Sequence, residues 1–135
     1  MKVQITAICI FLTCFVFVDR LNAQDFTPTG AMKLNGIAKD TKYGYTEKKP
    51  IKVGSIANQR KFLAALRSPK GEKVTYHRLG SCCPFKTKNG IVDNTGLLDK
   101  YEIIYVGIQE PAIIYLNGYD YKKPQCPQGF TYAED

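Results

Sequence analysis

The chain has 135 residues, and 19 Lys and Arg against 12 Asp and Glu give it a formal net charge of +7. This length allows one small domain and excludes a large barrel with a second domain. The basic charge favours an acidic surface as a partner. The lysines are scattered, however, and the only adjacent pairs are Lys48-Lys49 and Lys122-Lys123, so we expect no specific binding to nucleic acid.

The first 23 residues are typical of a secretory signal peptide. Lys2 gives a positive start, residues 5–18 are almost entirely apolar, and Ala23 is a small residue suited to signal peptidase. The apolar run is shorter than the roughly 20 residues that a membrane anchor needs. We therefore predict cleavage after Ala23, export to the periplasm or cell envelope, and no transmembrane segment after cleavage.

The mature chain divides into an arm and one domain. Residues 24–42 contain Pro28, Gly30 and Gly36 and show no hydrophobic period, which indicates a tether or a loosely packed N-terminal arm. Residues 43–135 form the single domain.

The domain pattern predicts one helix and about four strands. Residues 56–67 have apolar side chains three and four positions apart, with Ser55 as N-cap. Alternating or two-sided apolar runs predict strands at 51–54, 73–78, 98–106 and 112–117. The last two form a hairpin, with 98–106 central. We therefore predict an α+β fold, in which one helix packs on one face of a small, mainly antiparallel sheet.

The cysteines are the most reactive residues of the chain. Cys9 and Cys14 leave with the signal peptide, so three remain: Cys82, Cys83 and Cys126. In an exported protein, three cysteines predict one disulfide and one spare thiol. Adjacent cysteines rarely bond to each other, because the backbone must strain. We therefore predict a bridge from Cys82 or Cys83 to Cys126, which ties the C-terminal tail to a loop at 80–96.

Two other roles for these cysteines stay open. The spare thiol could exchange with other thiols, helped by the positive charges of Lys86 and Lys88. A zinc site is a weaker alternative, since three sulfurs and one imidazole are a permitted ligand set but the spacing is not that of a C-x₂-C knuckle. Its ligands would be His77, Cys82, Cys83 and Cys126. We expect no metal and no cofactor.

Tyrosines in loops suggest a binding surface, since an aromatic ring with a polar tip suits recognition. The candidate binding residues are Tyr43, Tyr45, Tyr119, Tyr121, Lys86 and Lys88. The sequence has no G-x-S-x-G or H-E-x-x-H motif, no Walker loop and no carboxylate pair in a motif. We assign no catalytic residue.

Several short segments resemble a family of small exported proteins of Bacteroidota. The resemblance runs from about Tyr43 to Phe130, and its most specific part is Gly80-Ser81-Cys82-Cys83-Pro84-Phe85. The other matching segments are Tyr43-Gly44-Tyr45-Thr46, Pro50-Ile51-Lys52-Val53-Gly54, Asn58-Gln59-Arg60 with Phe62-Leu63, Leu97-Leu98-Asp99 with Tyr101-Glu102, and Gly129-Phe130. Members of that family are often labelled 2-dehydro-3-deoxyphosphooctonate aldolase.

The enzyme of that name resembles a TIM barrel of about 250 residues, more than twice the length of the domain here. We therefore expect a binding or accessory domain without catalysis of its own, whose partner is an envelope protein or an acidic surface. The alternatives are a lyase that matches the label and a thiol-dependent redox protein.

Overall fold

The computed structural model describes residues 30–134, so the predicted signal peptide and its cleavage site lie outside the described residues. Within 30–134, no helix is long and apolar enough to cross a membrane. The elements in chain order are β1 (Ile51–Lys52), α1 (Ile56–Ala65), β2 (Leu66–Arg67), β3 (Thr75–Lys86), β4 (Thr95–Ile104), β5 (Ala112–Asn117) and β6 (Thr131–Tyr132).

The main sheet has four strands in the order β1-β5-β4-β3. β3, β4 and β5 are antiparallel to their neighbours, and β1 runs parallel to β5. The predicted hairpin is confirmed, because β4 pairs with β5 with Tyr101 opposite Ile114. One helix and a mainly antiparallel sheet confirm the α+β class. The strands β2 and β6 add a second, two-stranded sheet that the sequence pattern did not predict.

Helix α1 begins where it was predicted. Ser55 accepts a hydrogen bond of 3.0 Å from the backbone N–H of Asn58, which satisfies an N–H that lacks an intrahelical partner. Phe62 and Leu63 are fully buried in the core with residues of β4 and β5. The helix ends two residues earlier than predicted, because Leu66 turns to an extended conformation and pairs with Tyr132 in the second sheet.

Strand β3 contains the segment that we expected to be a loop, and two bulges bend it. Arg78 lies opposite Tyr101, but Gly80 lies opposite Lys100, so one extra residue is inserted between them. The register shifts a second time between Cys82 and Phe85. A bulge changes the direction in which the following side chains point, so these two insertions decide what Gly80–Phe85 can reach.

The arm is packed and not loose in its described part. The backbone of Ala38 donates to the carbonyl of Cys126 at 2.8 Å, and Cys126 donates to that of Gly36 at 2.9 Å. Leu34 is buried in the core. The expectation of loose packing is therefore wrong for this segment, because the C-terminal tail supplies the backbone partners that a sequence pattern cannot show.

The predicted bridge to Cys126 is also wrong. Cys82 is bonded to its neighbour Cys83, and Cys126 is a free, buried thiol. Neighbouring side chains on a regular strand point to opposite faces, but the second bulge interrupts this alternation and Cys83 has a φ of 61°. The tail is held by hydrogen bonds from backbone and side-chain groups and not by a disulfide. The expected count of one disulfide and one spare thiol is confirmed for the described residues.

Candidate ligand-binding site

A pocket of about 720 Å³ opens where the N-terminus of α1 meets β3 and β4. We call it the binding pocket. Its volume lies within the range of about 300–1,000 Å³ that is common for small-molecule sites. Five hydrogen-bonded side chains, which we call the polar cluster, contribute to its lining: Gln59, Arg78, Ser81, Asp99 and Tyr101.

Asp99 is the centre of the polar cluster. Its Oδ1 accepts hydrogen bonds from Nη2 of Arg78 at 2.6 Å, from Nε of Arg78 at 3.1 Å and from Ser81 at 3.0 Å. Its Oδ2 accepts one from Nε2 of Gln59 at 2.6 Å. Nη2 of Arg78 also donates to the hydroxyl of Ser81 at 2.6 Å. Three elements, α1, β3 and β4, therefore meet at one carboxylate.

Arg78 and Ser81 are brought together by the first bulge of β3. Three positions apart on a regular strand, they would point to opposite faces. The inserted residue restores the alternation, so Arg78 pairs with Tyr101 and Ser81 with Asp99, two residues on the same face of β4. The bulge thus places both donors on the pocket side of the sheet.

The electrostatics favour the charged forms of Asp99 and Arg78. Partial burial raises the pKa of Asp99, but hydrogen bonds from Gln59, Arg78 and Ser81 outweigh it, so the pKa lies below its ordinary value. The hydrogen bond to Asp99 raises the pKa of Arg78. The Asp99 side chain is only 14% exposed, whereas that of Arg78 is 51% exposed. The guanidinium therefore presents its charge to the pocket while the carboxylate lies behind it.

The rim of the pocket is apolar and exposed. The side chains of Ile56, Ile91 and Leu97 are 65%, 89% and 42% exposed, and all three line this pocket. Tyr119 also lines it and packs edge-to-face on Phe85 with ring centroids 5.8 Å apart. Large apolar side chains that gather at one exposed site are typical of binding surfaces.

A second, more open cleft of about 570 Å³ includes Cys83 among its lining residues. We call it the lysine cleft, because Lys48, Lys52 and Lys86 line it together with two carboxylates, Glu47 and Asp120. Asp120 is engaged by hydrogen bonds from Thr87, Asn89 and Asn117.

The tyrosines chosen from the sequence have different places. Tyr119 lines the binding pocket, whereas Tyr43 and Tyr45 hold the C-terminal tail. The hydroxyl of Tyr43 accepts from the backbone of Gln125 at 3.1 Å, and that of Tyr45 donates to the carbonyl of Gln128. Burial raises the pKa of Tyr45 to about 12. Tyr121 is exposed and packs beside Gly54.

The two lysines chosen from the sequence also differ. Lys86 lines the lysine cleft, and its Nζ donates to the carbonyl of Asp93 at 3.2 Å. Lys88 is exposed on the turn that follows β3.

The zinc set is not assembled in this structure. Cys82 and Cys83 are bonded to each other, His77 pairs with Glu102 across the strands, and the thiol of Cys126 lies 3.5 Å from the carbonyl of Pro127. Within residues 30–134, no three His, Cys, Asp or Glu side chains are grouped so that they could hold a metal ion.

Sequence reasoning missed the polar cluster. One signal was present, since Gln59 lies on the apolar stripe of α1 and is 1% exposed. A buried amide must find hydrogen-bond partners, so Gln59 predicts polar groups on the sheet beneath it. Their identity depends on the bulge in β3.

Comparison of the chain with protein-family models, with curated proteins and with solved structures found no match.

Proposed function

We propose that this chain is an exported binding domain of the periplasm or cell envelope, whose binding pocket takes an amphipathic anion. The ligand class is a carboxylate or phosphate attached to an apolar group. One observation supports the proposal above the others: a half-exposed arginine, held by a shielded carboxylate, lies in a concave pocket with an exposed apolar rim.

The charges in the pocket favour an anion. Arg60 of α1 also lines it, so two guanidinium groups face one carboxylate that already accepts four hydrogen bonds. Among the described residues, Nη1 of Arg78 has no hydrogen-bond acceptor. The N-terminus of α1 contributes a positive dipole end at Gly54 and Ile56, and its first turn has no acidic residue. A carboxylate or phosphate is the natural partner of an arginine fork.

Stability alone does not account for this arrangement. An ion pair with one half-exposed partner contributes only about 0–1 kcal/mol to folding. Exposed apolar side chains such as Ile91 contribute nothing to the core and favour association with another molecule. A ligand with both an anionic end and an apolar end satisfies both features of the pocket.

Two probes and one neutral analogue test the ligand class. Octanoate and phenyl phosphate, titrated into ¹⁵N-labelled protein, are expected to shift the amide signals of Gln59, Ser81 and Asp99. Octanol, which lacks the charge, is expected to bind far more weakly. Equal binding of octanol, or shifts confined to residues outside the pocket, would contradict the proposal.

The apolar rim has a matched control. Leu97→Ser is expected to weaken octanoate binding, because the alkyl chain loses contact with Leu97. Val106→Ser changes an even more exposed apolar side chain (87% exposed) that does not line the pocket, so the affinity of this variant for octanoate is expected to equal that of the wild type. Equal weakening by both variants would show non-specific hydrophobic binding.

Export is tested separately. The full-length chain, produced in a Gram-negative host, is expected in the envelope fraction with Gln24 as its first residue. An intact N-terminus in the cytoplasm would contradict export and leave the pocket proposal untouched. Cleavage of 2-dehydro-3-deoxyphosphooctonate by the purified domain would favour the lyase alternative over a binding role.

A further inference from the structure

We propose that the Cys82–Cys83 disulfide is a reversible redox site, which a dithiol reduces through the lysine cleft, and that its opening rearranges the polar cluster. This inference goes beyond ligand binding and does not depend on it. It combines a bond between neighbouring residues, a strained backbone, an accessible charged cleft and a direct connection along β3.

The backbone at this bond is under strain. Cys83 has a φ of 61°, in the left-handed region that residues other than glycine seldom adopt. Because the two cysteines are consecutive, their Cα atoms are 3.7 Å apart, the ordinary distance across a trans peptide bond, and the disulfide therefore closes a small ring that includes this peptide. Reduction removes the constraint that holds Cys83 in this conformation, so the strain favours opening of the bond.

The cleft offers access and a favourable charge. Cys83 lines it, and Lys48, Lys52 and Lys86 outnumber the carboxylates Glu47 and Asp120. Positive charge near a sulfur favours its thiolate form. An incoming thiolate and the Cys83 thiolate that the exchange finally releases are therefore both stabilised in this cleft.

The exchange balances with a dithiol as the reductant. One thiolate of the dithiol attacks Sγ of Cys83, a mixed disulfide forms, and the electron pair of the broken bond leaves on Sγ of Cys82, which takes a proton. The second thiolate of the dithiol then attacks the sulfur that the dithiol contributed to the mixed disulfide. This attack releases the Cys83 thiolate. The dithiol is oxidised to a disulfide, and the protein gains two electrons and the protons of two thiols.

The bond is connected to the polar cluster through one residue. Ser81 precedes Cys82 and bonds both Arg78 and Asp99. The second bulge, between Cys82 and Phe85, is where the strained Cys83 lies. When the bond opens and Cys83 leaves the left-handed region, the pairing of Ser81 with Asp99 is the first contact of the polar cluster to change.

Cys126 provides an internal contrast. It is fully buried and burial raises its pKa to about 12, so it lacks both the access and the thiolate that exchange requires. Of Cys82, Cys83 and Cys126, therefore, only the bonded pair Cys82–Cys83 meets the conditions for reversible thiol–disulfide exchange.

The experiment uses native protein in buffers of defined dithiothreitol redox ratio, followed by alkylation and peptide mapping. Oxidised protein is expected to carry one label after unfolding, at Cys126. Reduced native protein is expected to gain two labels, at Cys82 and Cys83, with Cys126 still unlabelled until unfolding. In ¹⁵N spectra, reduction is expected to shift the signals of Ser81, Asp99 and Nε of Arg78. The double variant Cys82→Ser with Cys83→Ser is expected to reproduce the reduced spectrum.

Three results would overturn the proposal. The first is three free thiols, or a bridge to Cys126, in the protein as exported. The second is reduction of the Cys82–Cys83 bond only under denaturing conditions. The third is reduction without any change at Ser81, Asp99 and Arg78. Cys126→Ala is the control, and its signals at the polar cluster are expected to respond to dithiothreitol as those of the wild type do.

Discussion

The hydroxyl of Tyr101 donates a hydrogen bond of 3.0 Å to Oε1 of Gln59, and this bond is buried. It leaves the amide nitrogen of Gln59 free to donate to Asp99 at 2.6 Å. The buried glutamine thus joins a core tyrosine to the carboxylate that orients Arg78. Burial raises the pKa of Tyr101 and keeps its phenol protonated as the donor. A residue of the hydrophobic core therefore helps to hold the charged residues of the binding pocket in place.

Gln59→Leu tests this link. The variant leaves the phenol of Tyr101 and Oδ2 of Asp99 without their partner, and a buried polar group without a partner costs about 1–3 kcal/mol. We expect urea unfolding to show a free energy of unfolding lower by about 2 kcal/mol. Gln125→Leu is the control, because Gln125 makes only an exposed side-chain bond to Asn35. Equal losses in the two variants would show that the amide of Gln59 has no special role.

Gly96→Ala tests the packing beside the pocket. An added Cβ would lie 2.8 Å from Cζ of Phe85 and 2.9 Å from Cδ2 of Tyr119, so both rings must shift. Overpacking of this kind costs about 1–3 kcal/mol. We expect that Phe85→Leu is less destabilising in the Gly96→Ala background than in the wild type, because it removes the clash of the added methyl group with the Phe85 ring. Additive effects in this double-mutant cycle would contradict the contact.

Alkaline pH tests the burial of Cys126. Its pKa rises from an ordinary 9.0 to about 12 on folding, so above pH 9 the folded chain holds a proton that the unfolded chain loses. The contribution of this raised pKa to the free energy of unfolding is fully present below pH 9. It is lost as the pH rises towards 12, by at most about 1.4 kcal/mol per pH unit. In urea unfolding between pH 9 and 10, before the tyrosines titrate, we expect the free energy of unfolding to fall less steeply with pH in Cys126→Ala than in the wild type. The same slope in the variant and the wild type would contradict the burial of the Cys126 thiol.

The parts of the fold that the sequence predicted are those with a local period. The helix at 56–65 and the hairpin of β4 and β5 follow from spacing within a single segment. The second sheet does not, because β2 and β6 have two residues each and their paired residues lie 66 positions (Leu66 and Tyr132) and 64 positions (Arg67 and Thr131) apart in the chain. The N-terminal arm likewise gains its structure from Cys126 and its neighbours at the far end of the chain.

The binding pocket depends on features without a sequence period. A regular strand would separate Arg78 from Ser81, and only the register against β4 shows that one residue is inserted between them. The same holds for Cys82 and Cys83, whose bond requires the second bulge and a positive φ. Bulges arise from the pairing of two strands, and the hydrophobic pattern of one strand does not show how it pairs with its neighbour.

The affinity of octanoate for two variants tests the account most directly. Arg78→Gln removes the guanidinium that faces the pocket, and loss of a charge-assisted hydrogen bond costs about 1.5–3 kcal/mol, which is about tenfold or more in dissociation constant. Lys70→Gln makes the same change in net charge on an exposed turn outside the pocket. Calorimetry is expected to show octanoate binding weakened at least about tenfold by Arg78→Gln and unchanged by Lys70→Gln. Equal affinities in the two variants would contradict the assignment of the binding pocket.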